Sequence, residues 1–327
     1  MSKLLSTEAI RNQSKAVFRQ FRDLWIENAK ENSRIEGRRN SAELEHMGIG
    51  KCAVLVAMGS SLENSVEEIK KYRDRIDVIC CDKAFMPLLD HGIKADLVIV
   101  ADAGIPFEYM EKSWRETTGV KLVSTPYANP VWTKMWRGPK YFYINQDAIE
   151  TESIFSVIMG KDTRIIPAGS NVSNAMISFL TDCGGQKNSN WGGYERYYLT
   201  GYDYSWQSKG NYYAWNDPKP KRFYMTHRTM LGFNGDVIHT SENLLFSAKW
   251  LISYITTFDL PIINCSEQGL LDIPLKGNLE RELNKINPNP WMQRSIKDAY
   301  HSWKDTHYAA KRCENNFNSL REVLICQ

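Results

Sequence analysis

Three aspartates, Asp82, Asp102 and Asp203, each stand directly after a run of residues with strand character. Ligands of open parallel sheets bind beyond the carboxyl ends of the strands, so acidic side chains recurring there share one rim. Carboxylates on such a rim can hold ribose hydroxyls, bind magnesium, or take a proton from an attacking hydroxyl. Asp102 and Asp203 are the expected ligands if magnesium is used, and magnesium is the one cofactor the pattern leaves open. A single aspartate in this place is an ordinary helix cap, but capping does not require it to recur on several strands.

Two loops of small residues accompany the acids. The first, Gly59-Ser60-Ser61-Leu62, follows the first strand-like run and opens a helix, where free N–H groups and the helix dipole suit a phosphate. It is not a dinucleotide fingerprint, because G-x-G-x-x-G is absent. The second, Ala168-Gly169-Ser170-Asn171-Val172-Ser173-Asn174, leads into an apolar helix at 175–180. Gly169, Ser170 and Asn171 suit a ribose, a base edge or a sugar held without charge. Either loop also serves as a plain helix cap.

The chain is 12% aromatic, and 12 of its Trp, Tyr and Phe residues fall within 191–224. Glycines and prolines in that stretch, Gly201, Gly210, Pro218 and Pro220 among them, predict loop. Rings on a loop offer flat faces to a base, a pterin or a sugar, with Tyr204, Trp206 and Tyr213 the chosen candidates; packing over the sheet edge is the plainer alternative. Two histidines follow, His227 and His239, and either imidazole can act as a general base near neutral pH.

These residues need a scaffold, and the pattern supplies one. Apolar runs rich in β-branched residues at 52–58, 76–81, 97–101, 120–124, 140–144, 197–200 and 261–265 alternate with helical spacing at 66–72, 86–91, 107–114 and 243–256. Continuous apolar strands between helices predict an α/β fold, a doubly wound, Rossmann-like, mostly parallel sheet. Residues 1–48, with Val17, Phe18, Phe21, Leu24 and Trp25 at helical spacing, read as a helical N-terminal arm. Residues 49–272 read as the α/β core, the part that the resemblance described below implies binds a nucleotide. Residues 273–327 form a C-terminal helical extension, broken at Ile286-Asn-Pro-Asn-Pro290 before a final helix over 291–325. Both tails suit packing or homo-oligomer contacts.

Composition narrows the classes of function. The 327 residues carry a net charge of +3, too small an excess for electrostatic capture of nucleic acid. The longest apolar run is far short of a membrane span, and the charged N-terminus has no signal core. Seven cysteines, without a C-x-x-C pair or metal-ligand spacing, predict reduced thiols and a cytoplasmic location.

The order of these motifs resembles the MptE-like family, which includes archaeal 6-hydroxymethyl-7,8-dihydropterin diphosphokinases and the central domain of Maf flagellin glycosyltransferases. The likeness spans about 51–272. Gly59, Ser61 and Leu62 carry it, with Asp82, Leu88-Leu89, Gly92-Ile93-Lys94-Ala95-Asp96, Asp102, Gly169 to Asn174 and Gly201-Tyr202-Asp203-Tyr204-Ser205. The family's first loop reads approximately G-x-G-P-S-L, whereas Ala57 and Ser60 stand here for the first glycine and the proline. The segment 198–215 is similar to the G-x-D-x-Y region of bacterial sialyltransferases, which implies a catalytic histidine downstream, matched by His239.

The resemblance implies a nucleotide-dependent transferase. As a glycosyltransferase it takes a nucleotide sugar, with His239 or Asp203 as the base and a glycan or protein as acceptor. As a diphosphokinase it takes ATP and magnesium on the carboxylate rim and stacks a pterin. The third expectation is a non-catalytic nucleotide-binding or assembly protein.

Overall fold

The computed structural model describes residues 7–286, apart from 112–113, 147–148, 168, 183, 185–186, 188–189, 208–211 and 217–226. The expected helix at 291–325 lies outside the described residues, as do Phe223 and Tyr224.

Eight strands form one parallel sheet: β1 (Cys52–Val56), β2 (Ile76–Cys81), β3 (Leu97–Val100), β4 (Lys121–Ser124), β5 (Lys140–Asn145), β6 (Arg164–Ile166), β7 (Arg196–Thr200) and β10 (Ile262–Asn264). Their order is β10-β7-β1-β2-β3-β4-β5-β6. The chain first builds outward from β1 to β6, then returns to lay β7 against the free side of β1. That reversal makes the junction of β1 and β7 the switch point of the sheet, where loops leaving the two carboxyl ends diverge. The α/β expectation holds.

Strand side chains alternate between two faces, as the pleat requires. Val54, Val56, Val78 and Cys80 pack against helices α2 (Leu62–Lys71) and α3 (Asp82–Asp90). Ala53, Leu55 and Ile79 face the other layer, built by α6 (Val172–Thr181) and α7 (Glu242–Phe258). Residues 173–181 of α6 are buried throughout, which explains its near-continuous apolar sequence. The short α8 (Leu279–Leu283) sets Leu279 and Leu283 into the first layer.

The N-terminal helix α1 (Thr7–Ser33) does not project from this body. Phe18, Trp25 and Ala29 pack with Phe155 of α5 (Ile149–Met159), and Trp25 stacks on Tyr127 at 4.1 Å. Asn32, fully buried, donates to the carbonyls of Pro126 (2.7 Å) and Ala128 (2.9 Å) and accepts from the Thr133 hydroxyl at 2.6 Å. These bonds fix α1 to the loop after β4 and to the start of α4 (Pro130–Met135).

Local readings differ from the structure at three places. The helix expected at 107–114 is only a 3₁₀ turn at Phe107–Tyr109, begun by Pro106, with a second at Trp114–Thr117. Strand β6 was not anticipated, because three residues give too little periodicity to read. Around His227 and His239, where the periodicity predicts no element, β8 (His227–Leu231) and β9 (Val237–Ser241) form an antiparallel hairpin. Its Asn234-Gly235-Asp236 turn was the available signal.

Replacing Asn32 with alanine is expected to cost about 2 kcal/mol, because two buried carbonyls lose their donor. Denaturant unfolding measures the loss, and earlier protease cleavage within α1 locates it.

Candidate active site

A cleft of about 480 Å³ opens over the carboxyl ends of the strands. Gly59 follows β1, Asp82 and Lys83 follow β2, Asp102 follows β3, and Gly201, Tyr202 and Tyr204 follow β7; all line it. Ser170, Asn171, Val172 and Ser173 of the second loop line it as well, with Val17 and Trp25 of α1. A larger hollow of about 820 Å³ lies at the amino ends of the strands, beside Lys51 and Arg196. The carboxyl-end cleft is the one that parallel-sheet geometry assigns to ligands.

The first loop is occupied by the protein itself. Gly59 donates its N–H to Gly201 O at 2.8 Å. Ser61 N–H reaches the Asp203 carboxylate at 2.9 Å, the Ser61 hydroxyl bonds its other oxygen, and Gln268 Nε2 donates at 2.9 Å. Asp203 is 1% exposed and does not line the cleft. Burial pushes its pKa up, while the bonds from Ser61 and Gln268 oppose the rise. The place expected for an anion at the start of α2 is thus taken by a side chain of the protein, and the structure puts Asp203, expected as a base or magnesium ligand, inside this contact rather than in the cleft lining. A methyl group on Gly59 would stand 2.6 Å from Gly201 O, and one on Gly201 would stand 2.2 Å from Ala57 O. Both glycines let two loops touch. Ser60, beside this lock, accepts from Gln268 Nε2 at 2.9 Å.

The second loop is more open. Asn171 caps α6 by accepting from Asn174 N–H and the Ser173 hydroxyl, both at 2.8 Å. Asn174 turns inward, donating to Gly169 O at 2.6 Å and accepting from Tyr204 Oη at 2.5 Å. Gly169 is required by packing, since a Cβ there would meet the Trp250 ring at 2.2 Å. Ser170 and Tyr204, both in the cleft lining, hold positive φ, 68° and 53°. Such conformations cost about 1–3 kcal/mol each and cluster where geometry serves function.

Asp82 and Asp102 share the cleft. Asp82 is 3% exposed and accepts from Lys83 N–H at 2.7 Å. Burial pushes its pKa up to about 6, the charge on Asp102 adds to the rise, and the Lys83 amide opposes it. Asp102 is exposed and accepts from Gly104 N–H at 2.8 Å.

The aromatic stretch divides. Trp191, Tyr194, Tyr197 and Tyr198 are buried structural rings, whereas Tyr202, Tyr204, Tyr212 and Tyr213 line the cleft. Trp206 lies behind them, 5.1 Å from the Tyr212 ring, and pairs backbone to backbone with His239. His239 and His227 face each other at 5.7 Å on the hairpin, with His239 Nδ1 3.1 Å from the Thr229 hydroxyl, and neither lines the cleft. Lys83, Asn145, Thr151 and the α1 residues were missed as site residues. Lys83 had a signal, its place next to a rim aspartate, whereas the α1 residues gave none before the helix was seen to dock.

A family model described as 6-hydroxymethylpterin diphosphokinase MptE-like matches residues 24–189, just over half of the chain. The chain belongs to the MptE-like family. The match begins inside α1 and runs past α6, so it takes in Gly59, Asp82, Asp102 and the second loop of the MptE-like site, while Asp203 and the hairpin lie beyond it. Curated proteins give no match. Among solved structures, one described as Maf glycosyltransferase from Magnetospirillum magneticum AMB-1 aligns with a TM-score of 0.62 at 17% identity, covering 85% of this chain. The MptE-like chain spans 41% of that structure's length. At this identity the likeness establishes the fold. Among the described residues no helix is long and apolar enough to cross a membrane, and no three His, Cys, Asp or Glu side chains converge as metal ligands.

Two outcomes follow for the carboxylates of the MptE-like site. Because folding raises the Asp82 pKa from 3.8 to about 6, the folded state binds this proton more tightly than the unfolded one. The Asp82 contribution to stability is therefore lost as pH rises through that window, at about 1.4 kcal/mol for each tenfold difference in proton affinity between the two states. Asp82→Asn lacks this loss, so its melting temperature relative to wild type should climb between pH 4 and pH 7. Asp203→Ala should cost about 2 kcal/mol by stranding the Ser61 and Gln268 donors, whereas Asp102→Ala should stay within about 0.5 kcal/mol; urea unfolding separates the two.

Proposed function

We propose that this MptE-like chain is a nucleotide-dependent transferase, and specifically a glycosyltransferase using a nucleotide-sugar donor. The observation that carries the reading is the lining of one cleft by small uncharged polar residues and aromatic rings. Ser170, Asn171 and Ser173 offer uncharged hydroxyl and amide groups, and Tyr202, Tyr204, Tyr212 and Tyr213 add aromatic surface to the same cleft, with the Tyr202 and Tyr204 hydroxyls held by Ser173 O and Asn174. That lining suits a sugar and a flat base. At the start of α6 the N–H groups of Val172 and Ser173 precede the first intrahelical bond and can donate to an oxygen of the sugar. The description of the Maf structural neighbour as a glycosyltransferase supports the same reading.

Of the four groups considered as base, Asp102 is preferred over Asp203, His239 and His227, because it alone lines the cleft. One carboxylate oxygen is held by Gly104 N–H, which aims the side chain. In the transfer, an acceptor hydroxyl attacks the anomeric carbon, the carbon–oxygen bond to phosphate breaks, and the nucleotide leaves with the bonding pair. The acceptor proton passes to Asp102. A glycan or a protein supplies the hydroxyl, and Cys52, Cys80, Cys81 and Cys265, free and buried, fit a cytoplasmic setting.

A second reading, an ATP-dependent diphosphokinase acting on a hydroxymethylpterin, draws on the family description and on the acidic wall. Magnesium fits Asp82 and Asp102, which face one cleft, and does not fit Asp203, closed in by Ser61 and Gln268. The ion would neutralise phosphate charge.

Calorimetric titration with nucleotide sugars and with ATP, each with and without magnesium, tests both readings. Under the first, a nucleotide sugar binds and is slowly hydrolysed, and Asp102→Asn lowers hydrolysis by about 100-fold with little change in Kd. Magnesium-dependent release of AMP from ATP and a hydroxymethylpterin would favour the second. Binding without turnover of any donor would leave the chain as a non-catalytic nucleotide-binding or assembly protein.

A further inference from the structure

Lys83 is the only Lys or Arg among the described residues that line the cleft, and neither mechanism above uses it. It is the second residue of α3, so β2 delivers it to the rim together with Asp82. Its Nζ donates to Tyr213 Oη at 3.0 Å and stands 4.6 Å from the centre of that ring and 5.3 Å from that of Tyr109. Burial works against the charge, but Tyr213, Tyr109 and the Asp82 carboxylate hold its pKa above the ordinary lysine value. Three segments distant in sequence, the start of α3, the 3₁₀ turn after β3 and the stretch beyond β7, thus converge on one ammonium.

An ammonium has three donors, and Tyr213 accepts from one of them. The ring faces attract the cation without accepting a hydrogen bond, so they position it while leaving donors for a ligand. A neutral ligand such as a free base or a sugar has no need of a half-buried cation, and holding one costs desolvation. A phosphate needs it, because Asp82 and Asp102 on the same wall repel an anion. Lysine serves as a compact point charge for such a group.

We infer that Lys83, set by Tyr213 and Tyr109, is the cation that receives the phosphate of the nucleotide, so that the cleft recognises a phosphorylated nucleoside through this side chain. The inference rests on the nucleotide-dependent reading above and extends it to the group that meets the ligand's charge. Tyr213 is then a positioning residue.

The test compares binding of a nucleoside with that of its 5′-monophosphate and 5′-diphosphate, using the base that wild type prefers. It uses the full chain, in EDTA and in magnesium, for wild type, Lys83→Met, Lys83→Arg and Tyr213→Phe. Lys83→Met should weaken both phosphorylated ligands by about 30-fold, the loss of a charge-assisted hydrogen bond, and the nucleoside by less than about threefold. Lys83→Arg should recover most of the loss, and Tyr213→Phe should weaken only the phosphorylated ligands, by about fivefold. Melting temperatures identify any variant that fails to fold, and Lys83→Arg and Tyr213→Phe then decide alone. Equal losses for nucleoside and nucleotide would overturn the inference and leave Lys83 as internal glue. So would nucleotide binding that needs magnesium and ignores Lys83→Met, since the ion would then meet the phosphate. If wild type binds no nucleotide at all, the nucleotide-dependent reading fails and this inference with it.

Discussion

The site depends on one buried contact, the grip of the Asp203 carboxylate on Ser61 and Gln268. β1 and β7 lie side by side in space, yet their loops must part at the switch point to leave room for a ligand. Gly59 and Gly201 allow the two loops to touch at their bases, and Asp203 then holds them in register. Since Tyr202 and Tyr204 flank Asp203 in sequence, the same grip sets two rings of the cleft wall. An ionic group enclosed in this way is tolerable because several donors satisfy it, and removing either side strands the other.

The second support is the docking of α1. Trp25 on Tyr127 and Asn32 among the carbonyls of the loop after β4 bring a helix from the start of the chain to the far rim of the cleft. The family match begins at Leu24, within this helix. Polar bonds supply direction here and stacked rings supply area.

Much of the architecture was legible because buried parallel strands are continuous apolar runs, and 52–56, 76–81 and 97–100 stand out as such. Asp82 and Asp102 were legible as rim residues for the same reason, since position after a strand fixes place. What could not be read is the direction of a side chain once it gets there. Asp203 looks like its two counterparts in sequence, but the close approach of Gly201 to Ala57 turns it inward to α2, a tertiary fact with no local signature. The aromatic stretch misled in a similar way. Its rings at 191–198 lead into and line a strand packed on both faces, and only those from Tyr202 onward reach the cleft. The histidines follow that stretch in sequence, whereas in the structure they sit together on the hairpin outside the cleft lining.

The strand order has a consequence for how the molecule is made. β1 acquires its first neighbour, β2, within a few dozen residues, but its second, β7, begins only at Arg196. Throughout synthesis of the intervening chain the far edge of β1 offers unpaired N–H and C=O groups along an entirely apolar strand, a ready template for a neighbouring chain. Folding of this sheet is therefore governed by long-range pairing, which is slow, and the nascent chain stays adhesive until β7 emerges. Yield in a cell should track how well that edge is shielded during translation more closely than how stable the finished protein is.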